Sequence, residues 1–322
     1  MPLTRRAFAR NLLAAPAIAS GAIAASGTLA SAAGLATPLP HAAVRIGRFT
    51  VHVLSDGHVD LPYGFFTGPG ATDIATRAQA AHVARPGDAL RLGFTQYLID
   101  DGSRLILVDT GPAGGIGDHT GKLPAALASL GVTPGDIDAV ILTHTHFDHI
   151  SGAIAGGSAV YGNAEVFVDR RDIAHFTDPA RRTAAPDFLK SSFDATADLV
   201  RLYPRLQQIQ GDQDITSGIS TVDLTGHTPG HIGLRIADAG QSMLIVSDMM
   251  FHPLVHPGRT DVGFVFEQDP KAAQAMRAKF FPMAAGDGSL IAATHMPFPG
   301  LGRVGRDGDA LIWVPEAWPY AL

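Results

Sequence analysis

The chain has 322 residues, no cysteine and a formal net charge of -6 at pH 7. The missing thiols exclude thiolate-held metal and thiol nucleophiles, so any metal or catalytic role falls to His, Asp, Glu, Ser, Thr or Tyr. The acidic balance, with no long basic tract, argues against nucleic acid as a partner.

Residues 1–36 read as an export signal with the start of a flexible lead-in, and residues 37–322 as one domain. Thr4-Arg5-Arg6-Ala7-Phe8-Ala9-Arg10 precedes an Ala-rich run from Leu12 to Leu29, and Ala30-Ser31-Ala32 has the small residues of a cleavage site. Arg5-Arg6 followed by Phe8 resembles the twin-arginine signal of bacteria, which predicts a periplasmic or secreted protein. Pro16 and the Ala, Gly and Ser content leave the run too weakly apolar for a stable membrane span after processing.

Apolar stretches over residues 44–54 predict a first strand or hairpin, ended by Ser55-Asp56-Gly57. A loop and a short helix near residues 72–83 follow. Residues 94–100 and 105–109 have strand composition and flank Asp101-Gly102, a strong hairpin signal. The glycine-rich stretch 110–115 lacks a following Lys-Ser/Thr and does not match the dinucleotide fingerprint, so it reads as a tight turn. Residues 123–130 form a short helix closed by Gly131, and 139–143 a buried strand. Helix is expected over 150–155, strand over 166–168, and helices over 170–176 and 188–203, with a proline-punctuated surface stretch up to Pro186. Residues 207–210, 219–224, 232–236 and 244–246 supply a second set of strands. A late helix at 269–280 and a final short strand at 290–293 lead to an apolar C-terminus with Trp313 and Trp318. Two sheet-forming halves separated by helices predict one layered α/β domain.

The chemistry gathers at strand ends. Thr143-His144-Thr145-His146-Phe147-Asp148-His149 places four metal-ligand side chains within six residues, directly after a buried strand. Alternation along extended chain lets His144 and His146 converge on one ion, while the turn through Phe147 brings Asp148 and His149 toward a second. Three later phrases repeat the arrangement: Gly226-His227-Thr228-Pro229-Gly230-His231, Ser247-Asp248 and Ala293-Thr294-His295. Imidazole nitrogens and carboxylate oxygens are donors that zinc and similar divalent ions accept.

The order His144-x-His146-x-Asp148-His149, then His227, Asp248 and His295, resembles the metallo-β-lactamase superfamily from about residue 44 to the C-terminus. The resemblance implies an αββα sandwich with a dinuclear site at the edge of two sheets. It assigns His144, His146 and His227 to one metal, Asp148, His149 and His295 to the other, and Asp248 to both. Two divalent ions are implied, zinc first, with iron, manganese or cobalt suited to the same donors. Adjacent cations lower the pKa of a shared water, so the implied reaction is hydrolysis by a metal-bridging hydroxide, with Asp248 as bridge and Asp148 orienting proton transfer. His231 is expected to be structural.

Within the superfamily, residues 54–62, 107–111 and 293–300 resemble the exported methyl parathion hydrolase-like group and the N-acyl-homoserine-lactone lactonases. The substrate this implies is a small-molecule lactone or related carboxylic ester. Organophosphate phosphotriester hydrolysis, β-lactam hydrolysis and non-catalytic metal binding are the alternatives; the bridging Asp248 argues against true β-lactamases, which lack it. The resemblance also implies a homodimer. Phe147, Phe251, His252, Phe264, Phe266, Met296 and Phe298 lie close in sequence to ligands and are the candidate substrate-side residues.

Overall fold

Period-two alternation sorts the apolar residues of each strand onto two faces, and both faces are covered. In the computed structural model, which describes residues 40–317, the strands β1 (His41–Ile46), β2 (Phe49–Pro62), β3 (Ala89–Asp100), β4 (Leu105–Val108), β5 (Ala139–Ile141), β6 (Glu165–Asp169) and β7 (Gln207–Ile209) lie side by side in that order. Pairing is antiparallel from β1 to β4 and parallel from β4 to β7. A second sheet holds β8 (Asp214–Thr216), β9 (Ile219–Asp223), β10 (Ile232–Asp238), β11 (Gln241–Ile245), β12 (Leu290–Ala292), β13 (Leu301–Asp307) and β14 (Ala310–Pro315). Its pairs are antiparallel except β11 with β12.

Val51, Val53, Ile99, Ile106, Val108 and Ile141 point from the first sheet into the space between the sheets, where Ile232, Leu234, Ile236, Met243 and Ile245 meet them. Their sequence neighbours Leu98, Leu107, Val140 and Leu142 face the other way, under helices α2 (Leu123–Ser129) and α6 (Asp187–Leu202). On the outer face of the second sheet, Val246, Ile291 and Ala293 pack with Phe280, Phe281 and Ala284 of α7 (Pro270–Asp287). Numbering in chain order places α1 at Ile74–Ala80, α3 at Phe147–Ile150, α4 at Arg170–Phe176 and α5 at Pro179–Ala184. The four layers form an αββα sandwich. Among the described residues no helix is long and apolar enough to cross a membrane. The export signal expected in residues 1–36, and Trp318, lie outside the described residues.

Four local expectations are corrected. β2 does not end at Ser55-Asp56-Gly57 but runs to Pro62, with a register shift between Ser55 and Gly57. Gly57 takes φ +122°, and the bulge turns the buried Asp56 inward to accept from the Leu123 backbone N–H at the start of α2. The helix expected from residue 150 begins at Phe147, inside the ligand run, and is followed by a 3-10 turn at Ser151–Ala153. α7 does not stop at Phe280 but passes through Pro282 and ends at Gly288 with φ +60°. Burial of Phe280, Phe281 and Ala284 on one face outweighs the lost hydrogen bond, a cost of about 3 kcal/mol. Finally, β12 is not the last strand, since the β13–β14 hairpin follows it.

Candidate metal centre

The seven candidate ligands leave the sandwich at the ends of strands. His144, His146, Asp148 and His149 follow β5, His227 follows β9, Asp248 follows β11 and His295 follows β12. The structure brings His144, His146, His227 and Asp248 into one group, and Asp148, His149 and His295 into a second. His146 Nδ1 lies 3.1 Å from His144 Nε2 and 2.9 Å from His227 Nε2. Asp248 reaches both groups: Oδ2 is 3.1 Å from His227 Nε2 and 3.2 Å from His295 Nε2, while Oδ1 is 3.2 Å from His149 Nε2. Asp148 Oδ2 stands 3.5 Å from both His149 Nε2 and His295 Nε2.

These donors fit two divalent cations. Four ligands held tetrahedrally at about 2.0–2.1 Å from zinc are about 3.3 Å apart, close to the spacing among the first group. His149 Nε2 is buried without a hydrogen-bond partner, aimed between Asp148 and Asp248. Burial and the neighbouring His149 hold His144 well below the usual imidazole range, and burial with His227 does the same for His146. Both are therefore neutral, the form that coordinates metal. At the other end burial opposes charge on His149, yet Asp248, Asp148 and Asp109 outweigh it and push the imidazole well up. The carboxylates there call for positive charge.

The far side of each ring is held as firmly. Asp109 Oδ2 lies 2.8 Å from His149 Nδ1 and accepts from Thr143 Oγ1 at 2.8 Å, while its Oδ1 accepts from the Thr143 N–H at 2.8 Å. His295 Nδ1 faces the Gly93 carbonyl at 2.9 Å. Thr143 Oγ1 also meets Ser247 Oγ at 2.9 Å, and Ser247 Oγ donates to Asp248 Oδ1 at 3.2 Å. Asp109 and Ser247 both sit at positive φ, +58° and +46°. Such strain persists at a site only where the surroundings over-determine it. Asp172, buried in α4, accepts from the Thr145 N–H, the Thr228 hydroxyl and the Gly230 N–H, and so clamps the His146 and His227 loops together. Burial pushes its pKa up to about 6 against those hydrogen bonds. His231 is buried beside His144 with Nδ1 3.1 Å from the Leu224 carbonyl, outside both groups.

A cavity of about 310 Å³ opens over the centre. His146, Asp148, His227, Asp248 and His295 form its floor. Phe147, Phe264 and Phe266 are on its wall, whereas Phe251, His252, Met296 and Phe298 are not. Phe251 lies behind the wall, stacked on Phe264 and against the His295 ring. Met296 is fully buried with the α7 cluster, Phe298 packs on the core between the sheets, and His252 turns back so that Nδ1 accepts from the Leu254 N–H. Closeness in sequence to a ligand does not carry these four to the cavity. The remaining wall comes from elsewhere: Val59, Leu61, Leu92 and Phe94 on β2 and β3, Gly115 at the end of the glycine-rich loop with Ile116 after it, and Phe188, Ser191 and Ser192 on α6.

The metallo-beta-lactamase superfamily model matches residues 95–295, more than half of the chain. An N-acyl homoserine lactonase of Bacillus cereus is 24% identical over 200 residues, covering 56% of this chain and 72% of the relative. An N-acyl homoserine lactonase of Agrobacterium fabrum, AiiB, is 28% identical over 42% of this chain and 49% of its own. Among solved structures, the hydrolase AbOPH of the beta lactamase superfamily superposes with a TM-score of 0.81 at 25% identity, over 88% of this chain and all of that one. AidC, a dizinc quorum-quenching lactonase, gives 0.80 at 23% identity over 87% and 99%. A two-group donor set at strand ends, beneath a cavity, is the apparatus of a metal-dependent hydrolase. By the match to its model and by its αββα architecture, the chain belongs to the metallo-beta-lactamase superfamily.

Proposed function

We propose that this chain hydrolyses neutral lactones or related carboxylic esters at a centre of two zinc ions, after export by the twin-arginine route. One observation carries the substrate class: among the described residues that line the cavity there is no Lys or Arg, and the wall is mainly aliphatic and aromatic, with Ser191 and Ser192 its polar members. A fixed negative charge remote from the reacting atom, such as a β-lactam carboxylate, finds no cationic side chain on that wall, and burying such a charge unpaired is costly. A neutral acyl or alkoxy group gains by burial there. The curated relatives with lactonase names support the lactone over other neutral esters.

Bound at this donor set, two divalent ions supply an activated water and polarise the susceptible oxygen. The protein does the rest. Asp109, Thr143, Ser247 and Asp172 fix the ligands in place, so little reorganisation accompanies reaction. The aromatic wall excludes bulk water and orients the apolar part of the substrate. Asp148 lines the cavity, and although burial opposes its charge, His149 and His295 keep it ionised. Its carboxylate can accept a proton at one step and return it to the leaving alkoxide at the next.

The deciding experiment measures product from acyl-homoserine lactones, aryl esters, β-lactams and methyl parathion, before chelation, after it and after zinc is restored. Turnover of lactones that vanishes and returns, with β-lactams inert, is the expected result. A preference for methyl parathion makes the equally neutral phosphotriester the primary substrate, and silence from a chain holding two metals leaves a metal-binding protein. For export, Arg5→Lys with Arg6→Lys is expected to retain the chain in the cytoplasm of a twin-arginine-competent host; unchanged periplasmic recovery refutes that route.

A further inference from the structure

We propose that Gly115 is a specificity-determining position, because its missing side chain lets the Phe147 ring rest against the glycine-rich loop and keeps the cavity deep; this builds on the hydrolase reading above. Both residues line the cavity. A Cβ built on Gly115 would lie 2.5 Å from Cε1 and from Cζ of Phe147, far inside van der Waals contact. The loop cannot easily yield, since the Gly115 N–H donates to the Pro112 carbonyl at 2.8 Å and the same Cβ would lie 3.2 Å from that carbonyl oxygen. Gly115 is not among the glycines at positive φ, so its backbone conformation does not bar an L-residue, and the severe conflict, at 2.5 Å, is with the ring.

Phe147 has little freedom to retreat as a whole. Its N–H donates to Ser192 Oγ at 3.0 Å, it opens α3 between the ligands His146 and Asp148, and it packs on the apolar cluster beneath the helices. What remains is rotation of the ring about its side-chain torsions. With the loop on one side and the cluster behind, the open direction is the cavity. A side chain at 115 therefore drives the ring over the floor and shortens the space left for the apolar part of the substrate. The loop sets reach; the ring transmits it.

The test is a double-mutant cycle on the metal-loaded chain, using Gly115→Ala, Phe147→Ala and the pair, with butanoyl- and decanoyl-homoserine lactone as probes. Gly115→Ala is expected to lower the decanoyl-to-butanoyl ratio of kcat/KM by about tenfold, mainly through KM, the size of effect that steric changes in an apolar pocket produce. Metal content stays at two per chain. In the Phe147→Ala background the same substitution leaves the ratio where Phe147→Ala put it. An equal shift in both backgrounds, or no shift in either, overturns the proposal. A crystal structure of Gly115→Ala gives an answer free of any activity: a Phe147 ring left in its wild-type position overturns the proposal, and a displaced ring supports it. Failure of the wild type to turn over either lactone counts against the hydrolase reading instead.

Discussion

Replacing Asp248 with Ala is expected to strip the centre of metal and lower hydrolysis by more than about a hundredfold, beyond the 10–100-fold seen when only a group behind a ligand is removed. The reason lies in its position. Asp248 stands within 3.2 Å of His227, His149 and His295, so a single carboxylate serves both donor groups. Burial disfavours its charge, yet His295, His149, His144 and His227 hold it far below the ordinary carboxylate range. Removing it leaves five imidazoles facing one another with a single carboxylate, Asp148, to balance metal charge. The measurement pairs metal content per chain with turnover, on protein whose circular dichroism matches wild type. A folded Asp248→Ala chain with two metals and undiminished turnover contradicts the bridging role. Asp248→Asn refines the result, since an amide keeps the shape and loses the charge.

The ligands were legible because histidines and aspartates at the ends of apolar strands have few other uses, and pairing within a sheet brings the ends of neighbouring strands together. The residues that hold those ligands were harder to see. Asp109 closes a strand as any turn aspartate does, and its left-handed backbone leaves no mark in sequence. Asp172 reads as an ordinary acid in the first turn of a helix, and its three bonds to two ligand loops depend on where α4 lands. The cavity wall failed for a related reason. Proximity in sequence selected Phe251, His252, Met296 and Phe298, whereas the fold draws on β2, β3, α6 and the glycine-rich loop, all distant in sequence from the ligands they border. The bulge at Asp56–Gly57 carries β2 past the turn signal Ser55-Asp56-Gly57 to Pro62, and with it Val59 and Leu61 to the cavity. The β13–β14 hairpin did carry a signal, Asp307-Gly308 between alternating stretches, which the apolar character of the C-terminus obscured.

A second large effect is expected away from the metals. The apolar stripe of α7 comprises Ala273, Arg277, Phe280, Phe281 and Ala284, and the charged member is 1% exposed. Arg277 pairs with the buried Glu267, donates through Nε to the Met249 carbonyl at 3.2 Å and through Nη1 to the Val262 carbonyl at 3.3 Å, and lies 5.6 Å from the Phe251 ring centre. One guanidinium thus ties together the turn after Asp248, the segment carrying Phe264 and Phe266, and the ring stacked on His295. Arg277→Met strands Glu267, whose Oε2 already has no partner, and is expected to cost about 3–5 kcal/mol in denaturant unfolding of the metal-loaded chain. Replacing both, Arg277→Met with Glu267→Leu, removes the stranded charge and recovers most of that loss. It leaves the Met249 carbonyl without its donor and the Val262 carbonyl with His256 Nε2 alone, at 3.1 Å, so KM for lactones, expected to rise in the single variant, stays raised although the fold is stable again. A cost below about 1 kcal/mol for the single variant, the range of exposed ion pairs, sinks the argument. Recovery of stability and KM together confines Arg277 to the fold, whereas recovery of stability alone shows that the same buried charge shapes the wall above the metals.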